Sequence, residues 1–393
     1  MNVFKINQMA FGSATLTGKF VTPFYDKQSN VQPGKLFSTL SNPGNSAVFL
    51  ISFLIYLVGI FPSMVFALPA DPTVQSGSVT IDTTSPEKMN IYQSTNKAII
   101  DWNNFNIDTH EHVEFQLSQG GATLNRITGN DPSQILGKLT SNGDLWVVNP
   151  NGVFFGNNAK VDVRSLVATT SNIANSNFLS EKYSFDIPSN FSSSIVNQGT
   201  ITAAEGGLVA LVAPGVQNKG VINARLGKVS LASGKTFTLD LYGDQLINLG
   251  VDSKVLTQAT GMDGEVLSSL ASNSGSIFAD GGVVQLNVNA AQDIVDHVIN
   301  MEGVIQARSV VERNGKIILM GGEEGNVHVS GTLDASGYKA GEIGGDVKVL
   351  GHLVGLYGTG FIDVSGDSGG GTILFGGDYQ GNGNVPNAQA TLI

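Results

Sequence analysis

The 393-residue chain carries 21 basic and 32 acidic side chains, a formal charge of −11, with 13% charged and 41% hydrophobic residues, 49 glycines and no cysteine. That mix of low charge and ample apolar surface excludes disorder. Glycine without a three-residue period excludes collagen, and the missing cysteines exclude disulfides, thiolate catalysis and cysteine-held zinc. At the N-terminal end Lys5, Lys19, Lys27 and Lys35 stand against a single Asp26, and residues 47–61, AVFLISFLIYLVGIF, form an uncharged apolar run. Val65-Phe66-Ala67 then places small residues at −3 and −1 of a cut after Ala67, with Ala70 a second candidate. Basic segment, apolar run and small-residue site together predict a secretory signal over 1–67, unusually long for one. The rival is an uncleaved membrane anchor, since the apolar stretch nearly suffices to span a bilayer; Pro62 and the small residues after it weigh against it. Removing 1–67 takes away four lysines and one aspartate, leaving 17 basic against 31 acidic residues, or −14. So acidic a chain is not a general nucleic-acid binder. Freedom from cysteine also suits a chain that crosses an oxidising periplasm unfolded.

Beyond Ala67, helical periodicity is nearly absent. Short runs replace it: VTI, AII, VEFQL, LWVV, VFF, LVALV, KVSLA, VVQL, KIIL, VHV, DVKVL and TILF, punctuated by Gly, Asn, Asp and Ser. This is an all-β pattern. The runs recur. IVNQGTITAAEGGLVALVAPG (195–215) superposes on VQNKGVINARLGKVSLASG (216–234), with Asn197 on Asn218 and Gly206 on Gly227, each offset by 21. SGTLDASG (330–337) matches TGFIDVSG (359–366), and GGDVKVLG (344–351) matches GGTILFGG (370–377). A period near 20–30 residues with two or three short strands per unit predicts a parallel β-helix, in which each strand pairs with its equivalent one rung on. Apolar residues two apart, as in Val347-Lys348-Val349 and Val327-His328-Val329, send one face inward. Gly and Asn at the corners are expected to supply positive φ. A β-sandwich would also alternate, but gives no reason for the recurrence.

Within this pattern "LWVVNPNGVFFG" (145–156) sets two strands around Asn149-Pro150-Asn151-Gly152. The tetrapeptide suits a type I turn: Asn149 bonds forward through its side chain, Pro150 presets φ, and Gly152 closes the turn. A corner between strands is its simplest role. Other constellations are read as structural. His110 and His112 are expected to share the face of a solvated strand, with no third metal ligand. Asp334 and Asp363 occupy equivalent repeat positions and are expected to stack facing solvent, although a carboxylate pair on neighbouring rungs is also how a β-helical glycan hydrolase would be built. GDSGGG (366–371) and GGDYQGNGN (376–384) lack a phosphate-loop context and are read as corners. Residues 288–300, VNAAQDIVDHVIN, are the best helical candidate, read as a short excursion from a rung.

The succession NRITGNDPSQILGKLTSNGDLWVVNPNGVFFGNNAKVDVRSLVATT (125–170) closely resembles the haemagglutination-activity, or two-partner secretion, domain of filamentous haemagglutinin-like exoproteins. AIIDWNNFNI (98–107), the VNQGTITA stretch and GTLDASG through GGGTILFGGDYQGNG agree with it, so the likeness covers nearly all of the chain after the signal. The resemblance implies an all-β, right-handed parallel β-helix with capping and extra-helical β-hairpin elements at its N-terminal end. It divides the chain into an extended signal peptide (1–67), a secretion domain (68–250) and continuing rungs (251–393). It implies export by the Sec machinery, recognition by the POTRA domains of a partner outer-membrane β-barrel transporter, and a secreted or cell-surface adhesin of a Gram-negative bacterium with a host-cell or glycan receptor. It also implies that the protein has neither an enzymatic activity nor a cofactor. The motif associated with secretion is Asn149, Pro150, Asn151 and Gly152; the secondary motif positions are Asn125, Arg126, Gly129, Ser133, Gln134, Ile135 and Gly137. Other members of such families are haem binders or contact-dependent toxins, and a β-helical carbohydrate-active enzyme or an autotransporter passenger are the remaining alternatives. Ending at NVPNAQATLI without a cap or effector module, the chain is expected to be a fragment or truncated product.

Overall fold

The computed structural model describes residues 68–393 apart from 189, 191, 241–246, 250–253, 262–263, 292–293 and 312. The signal segment and the Ala67 cleavage site therefore lie outside the described residues. Among those described, three long sheets of eleven, nine and eleven strands run side by side, joined by corners. One turn of the chain shows the plan. Val153–Phe155 lies in the nine-stranded sheet, Lys160–Val163 in one eleven-stranded sheet, and Ser165–Thr169 in the other. The next turn repeats them as Ser194–Asn197, Thr200–Ala203 and Leu208–Ala213, each parallel to its predecessor. This is a parallel β-helix, as the recurring runs predict.

Register makes the core continuous. Ile201, Ile222, Ile277, Ile305, Leu333 and Ile362 are successive partners in one column, and the first five are fully buried. Burying an aliphatic side chain of this size contributes roughly 1.5–3 kcal/mol, so a column of such residues offsets the entropy of ordering rungs that have few local contacts. At the N-terminal end the helix is closed by antiparallel pairing. Thr73–Ser76 runs against Lys97–Trp102, and Val79–Ser85 against Lys88–Gln93. Trp102, Phe105 and Phe115 fill the bore there, edge-on at 5.6 Å and stacked at 6.5 Å.

The repeat matches hold, with one correction. Asn197 pairs with Asn218, Thr332 with Phe361 and Asp346 with Thr372, as superposed. Gly227, however, stacks on Gly207 and not on Gly206, because Lys228 pairs with Leu208 at an offset of 20 after Val221 has paired with Thr200 at 21. One residue is lost at that corner. The surplus of glycine also has a second cause besides turns. In the column Gly199, Gly220, Gly275, Gly303 and Gly331, a Cβ on any of the last four would overlap the carbonyl oxygen of the glycine one rung before. Rung stacking, not positive φ, selects glycine there. Residues 288–300 form no helix in their described part; Val283–Val288 and Ile299–Met301 are strands at either end.

A second apolar layer lies outside the bore. Leu124, Trp146, Val148, Val167, Ala210 and Val212 turn away from the core and are covered by the helix α1 (Asn175–Leu179) and by Phe185 and Phe237 of a small antiparallel sheet. Trp146 stacks on Phe185 at 5.8 Å and lies 4.7 Å from Tyr183, whose phenol is pushed up to about 12 by burial and then by Glu181 and Asp144. Runs such as LVALVA are buried at every position for this reason.

Candidate functional site

The turn at Asn149 carries the chain from Asp144–Val148 in one sheet to Val153–Phe155 in the next. Gly152 N–H donates to the Asn149 carbonyl at 3.0 Å, and Asn151 N–H to Asn149 Oδ1 at 2.9 Å. Asn151 keeps a negative φ while Gly152 takes +117°, which makes the turn type I. Asn149 is fully buried. Its Nδ2 donates at 3.0 Å both to the Asp131 carbonyl and to Ser133 Oγ, and Asn151 Nδ2 donates to the Gly129 carbonyl at 2.9 Å. Asn190 Nδ2 reaches Asn151 Oδ1 from the far side at 3.3 Å. The corner is thus a clasp: two asparagines hold the 129–133 segment of the preceding rung by its backbone.

Of the secondary motif positions, the structure brings Gly129 and Ser133 into this clasp and puts the others to separate structural uses. Asn125 is fully buried and accepts from Trp102 Nε1 at 3.0 Å. Arg126 sits opposite Asp101, with which it pairs at 3.1 Å, and its remaining donors hold Asn172, the Ile173 carbonyl and Asn175 at 2.8–2.9 Å. It therefore anchors the entry to α1, whose start has no side-chain cap of its own. Gln134 is outward, its backbone tied to Asn106 and Ile107; Ile135 is core; Gly137 stands where a Cβ would strike the carbonyls of Asp108 and Glu111. Asp131 and Asn190 belong to the clasp, and Asn172 and Asn175 to the Arg126 contacts; none of the four stands out in the sequence. An Asx or asparagine side chain serving a long-range backbone group has no local signature.

Two other expectations need correction. The strand begins at His112, so His110 and His112 do not share a strand face; His110 lies in a turn, and buried Glu111 accepts from Asp108 N–H at 2.7 Å to close it. His112 bonds Thr140 Oγ1 at 2.7 Å, and burial, then Lys138 and Lys88, lower its pKa. Asp334 and Asp363 are register partners, but Asp334 is buried and does not face solvent. It pairs with Arg308 at 2.7 Å and accepts from Ser336, while Asp363 accepts from Ser365 N–H and Tyr338 Oη at 2.8 and 2.9 Å. Both carboxylates are occupied in shaping corners. A ladder that the repeats did hint at runs beside the core: Asn197 Nδ2 donates to Asn218 Oδ1 at 2.8 Å, and Asn218 Nδ2 to Asn273 Oδ1 at 2.7 Å. Buried side-chain amides here satisfy one another rung by rung.

The family model for the TPS secretion domain matches residues 67–335. A heme/hemopexin-binding protein of Haemophilus influenzae strain Rd is 33% identical over 261 residues, which are 64% of this chain and 27% of that protein. A second heme/hemopexin-binding protein of Haemophilus influenzae is 32% identical over 265 residues, 62% of this chain and 27% of the relative. The chain thus spans little more than a quarter of the length of these curated relatives. The crystal structure of the HMW1 secretion domain from Haemophilus influenzae is similar with a TM-score of 0.69 at 32% identity, covering 83% of this chain and 82% of that one.

Proposed function

Because the chain belongs to the TPS secretion domain family, we propose that the clasp of Asn149 and Asn151 on residues 129–133 is the part of the fold on which its export depends. Exoproteins with this domain are secreted through the outer membrane of Gram-negative bacteria with a partner transporter in that membrane. The finer steps are our reading. The signal over 1–67 takes the chain through the Sec machinery and is cut after Ala67. A cut at Ala70 would remove Leu68, which packs against the core, and Ala70 itself, which pairs with Asn104. POTRA domains of the partner then bind the unfolded secretion domain, and rungs form as it emerges. The mature exoprotein acts at the cell surface in adhesion or haemagglutination, without enzymatic turnover.

The observation that carries this reading is the complete burial of Asn149 with five hydrogen-bonding partner residues, Asp131, Ser133, Asn151, Gly152 and Thr169. A fold nucleated at such a corner fixes two sheets and a preceding rung at once. Photo-crosslinking from position 149 or 151 in the periplasm tests it: a crosslink to the transporter's POTRA domains supports recognition of this segment, and crosslinking only to periplasmic chaperones contradicts it. The names of the curated relatives favour a second reading of the mature activity, in which haem or hemopexin replaces the host-cell glycan as ligand. Agglutination of erythrocytes and capture on immobilised hemopexin separate the two, and a glycan-degradation screen that found turnover would overturn both.

A further inference from the structure

On the outward face of the nine-stranded sheet, Asn300 and His328 are register partners on neighbouring rungs, and Gly355 follows His328 in the same column. Ile299 and Met301, and Val327 and Val329, point into the core, so Asn300 and His328 both project outward from buried backbone. The Tyr357 ring lies over Gly355, where a Cβ would strike it, and stacks on the His328 imidazole at 4.4 Å with 8° between planes. From the other side the His297 ring approaches His328 to 4.8 Å at 60°. Two polar side-chain atoms in this cluster are buried and have no protein partner: Asn300 Oδ1 and His328 Nδ1. The Asn300 amide is not free to turn, because its Nδ2 donates to Glu302 Oε1 at 3.0 Å.

We propose that His297, His328 and Asn300 form a binding site for a divalent first-row transition-metal ion, with Glu302 and Tyr357 positioning two of the ligands. Two imidazoles that share one ion, each about 2.0 Å from it, have ring centres about 5 Å apart at a tetrahedral angle, and the observed separation is 4.8 Å. Imidazole nitrogen favours zinc, nickel and copper over magnesium or calcium. The amide oxygen supplies a third donor, fixed by Glu302 as outer partners fix metal ligands elsewhere. Among the described residues no group of three His, Cys, Asp or Glu could hold an ion; this site uses two such residues and an amide, and leaves a coordination position to solvent.

The test is calorimetric titration of the full, metal-stripped chain with zinc, nickel and copper ions, repeated on His297→Gln, His328→Gln and Glu302→Gln, with His110→Gln as control. Binding of one ion is expected, abolished in either of the first two variants, weakened about tenfold in the third, and unchanged in the control. Circular dichroism of each variant confirms that the rungs remain formed, and a zinc-dependent rise in melting temperature seen in the parent and not in His328→Gln gives a second readout. Absence of binding at 100-fold excess over protein, or binding that survives loss of both histidines, would each overturn the proposal.

Discussion

Asn149→Ala removes a side chain that donates to the Asp131 carbonyl and Ser133 Oγ and accepts from Asn151 N–H, at 2.9–3.0 Å. Each net hydrogen bond stabilises by roughly 0.5–1.5 kcal/mol, and partners left buried without water cost more, so the loss works out at about 3 kcal/mol. That is a change of roughly 150-fold in the folding equilibrium. The chain has two tryptophans, and both report on this end: Trp146 lies on the strand leading into the turn, and Trp102 bonds Asn125. Urea unfolding followed by tryptophan fluorescence should therefore show the loss directly. In cells the same variant, co-expressed with its transporter, should reach the medium in much smaller amount. If the variant unfolds as predicted in vitro but is secreted at the parental rate, the link between clasp and export is refuted. A stability loss below about 0.5 kcal/mol would refute the hydrogen-bond reasoning itself.

Gly220→Ala places a Cβ against the Gly199 carbonyl; such overpacking should destabilise by about 2 kcal/mol or more, measured by urea unfolding, whereas Gly206→Ala meets no neighbour and is strained only by its φ of +80°. Arg126→Met keeps the aliphatic stem but gives up Asp101, Asn172, Ile173 and Asn175, and should cost about 2–4 kcal/mol with faster proteolysis at 172–180. The pH dependence has a definite sign. His112 has a folded pKa below its ordinary value near 6.5, from burial first and then Lys138 and Lys88, so the unfolded chain binds the proton more readily. Its contribution is complete above pH 6.5 and is lost as pH falls through the lower folded value. Stability measured from pH 7 to pH 5 should thus fall more steeply in the parent than in His112→Gln.

The fold was legible because a solenoid repeats its sequence signals. Asn197 and Asn218, or Thr332 and Phe361, could be superposed from spacing alone, and they pair in the structure. Errors fell where an interaction is set by a neighbouring rung or by the outer cover. Gly227 slid by one residue because a corner was shortened. The helix expected over 288–300 is absent from the described part of that stretch, while the helix Asn175–Leu179 is too short for periodicity to reveal. LVALVA reads as one buried strand, but the aromatic cover over its outer face comes from residues 178–185 and 237–239, which are distant in sequence. At the clasp, the turn type followed from Asn-Pro-Asn-Gly, whereas the targets of its side chains, Asp131 and Gly129, lie 18 and 22 residues away and carry no local mark. Asp334 was misplaced at the surface because its partner Arg308 is supplied from the rung before.

Secretion into the medium, measured for the full chain expressed with and without an outer-membrane transporter of the partner class, tests the central claim most directly. The account predicts a processed, protease-resistant, β-rich product outside the cell only when the transporter is present, and its loss when the transporter's POTRA domains are deleted. Equal release without the transporter, or retention in the cell with a functional transporter in place, would contradict it.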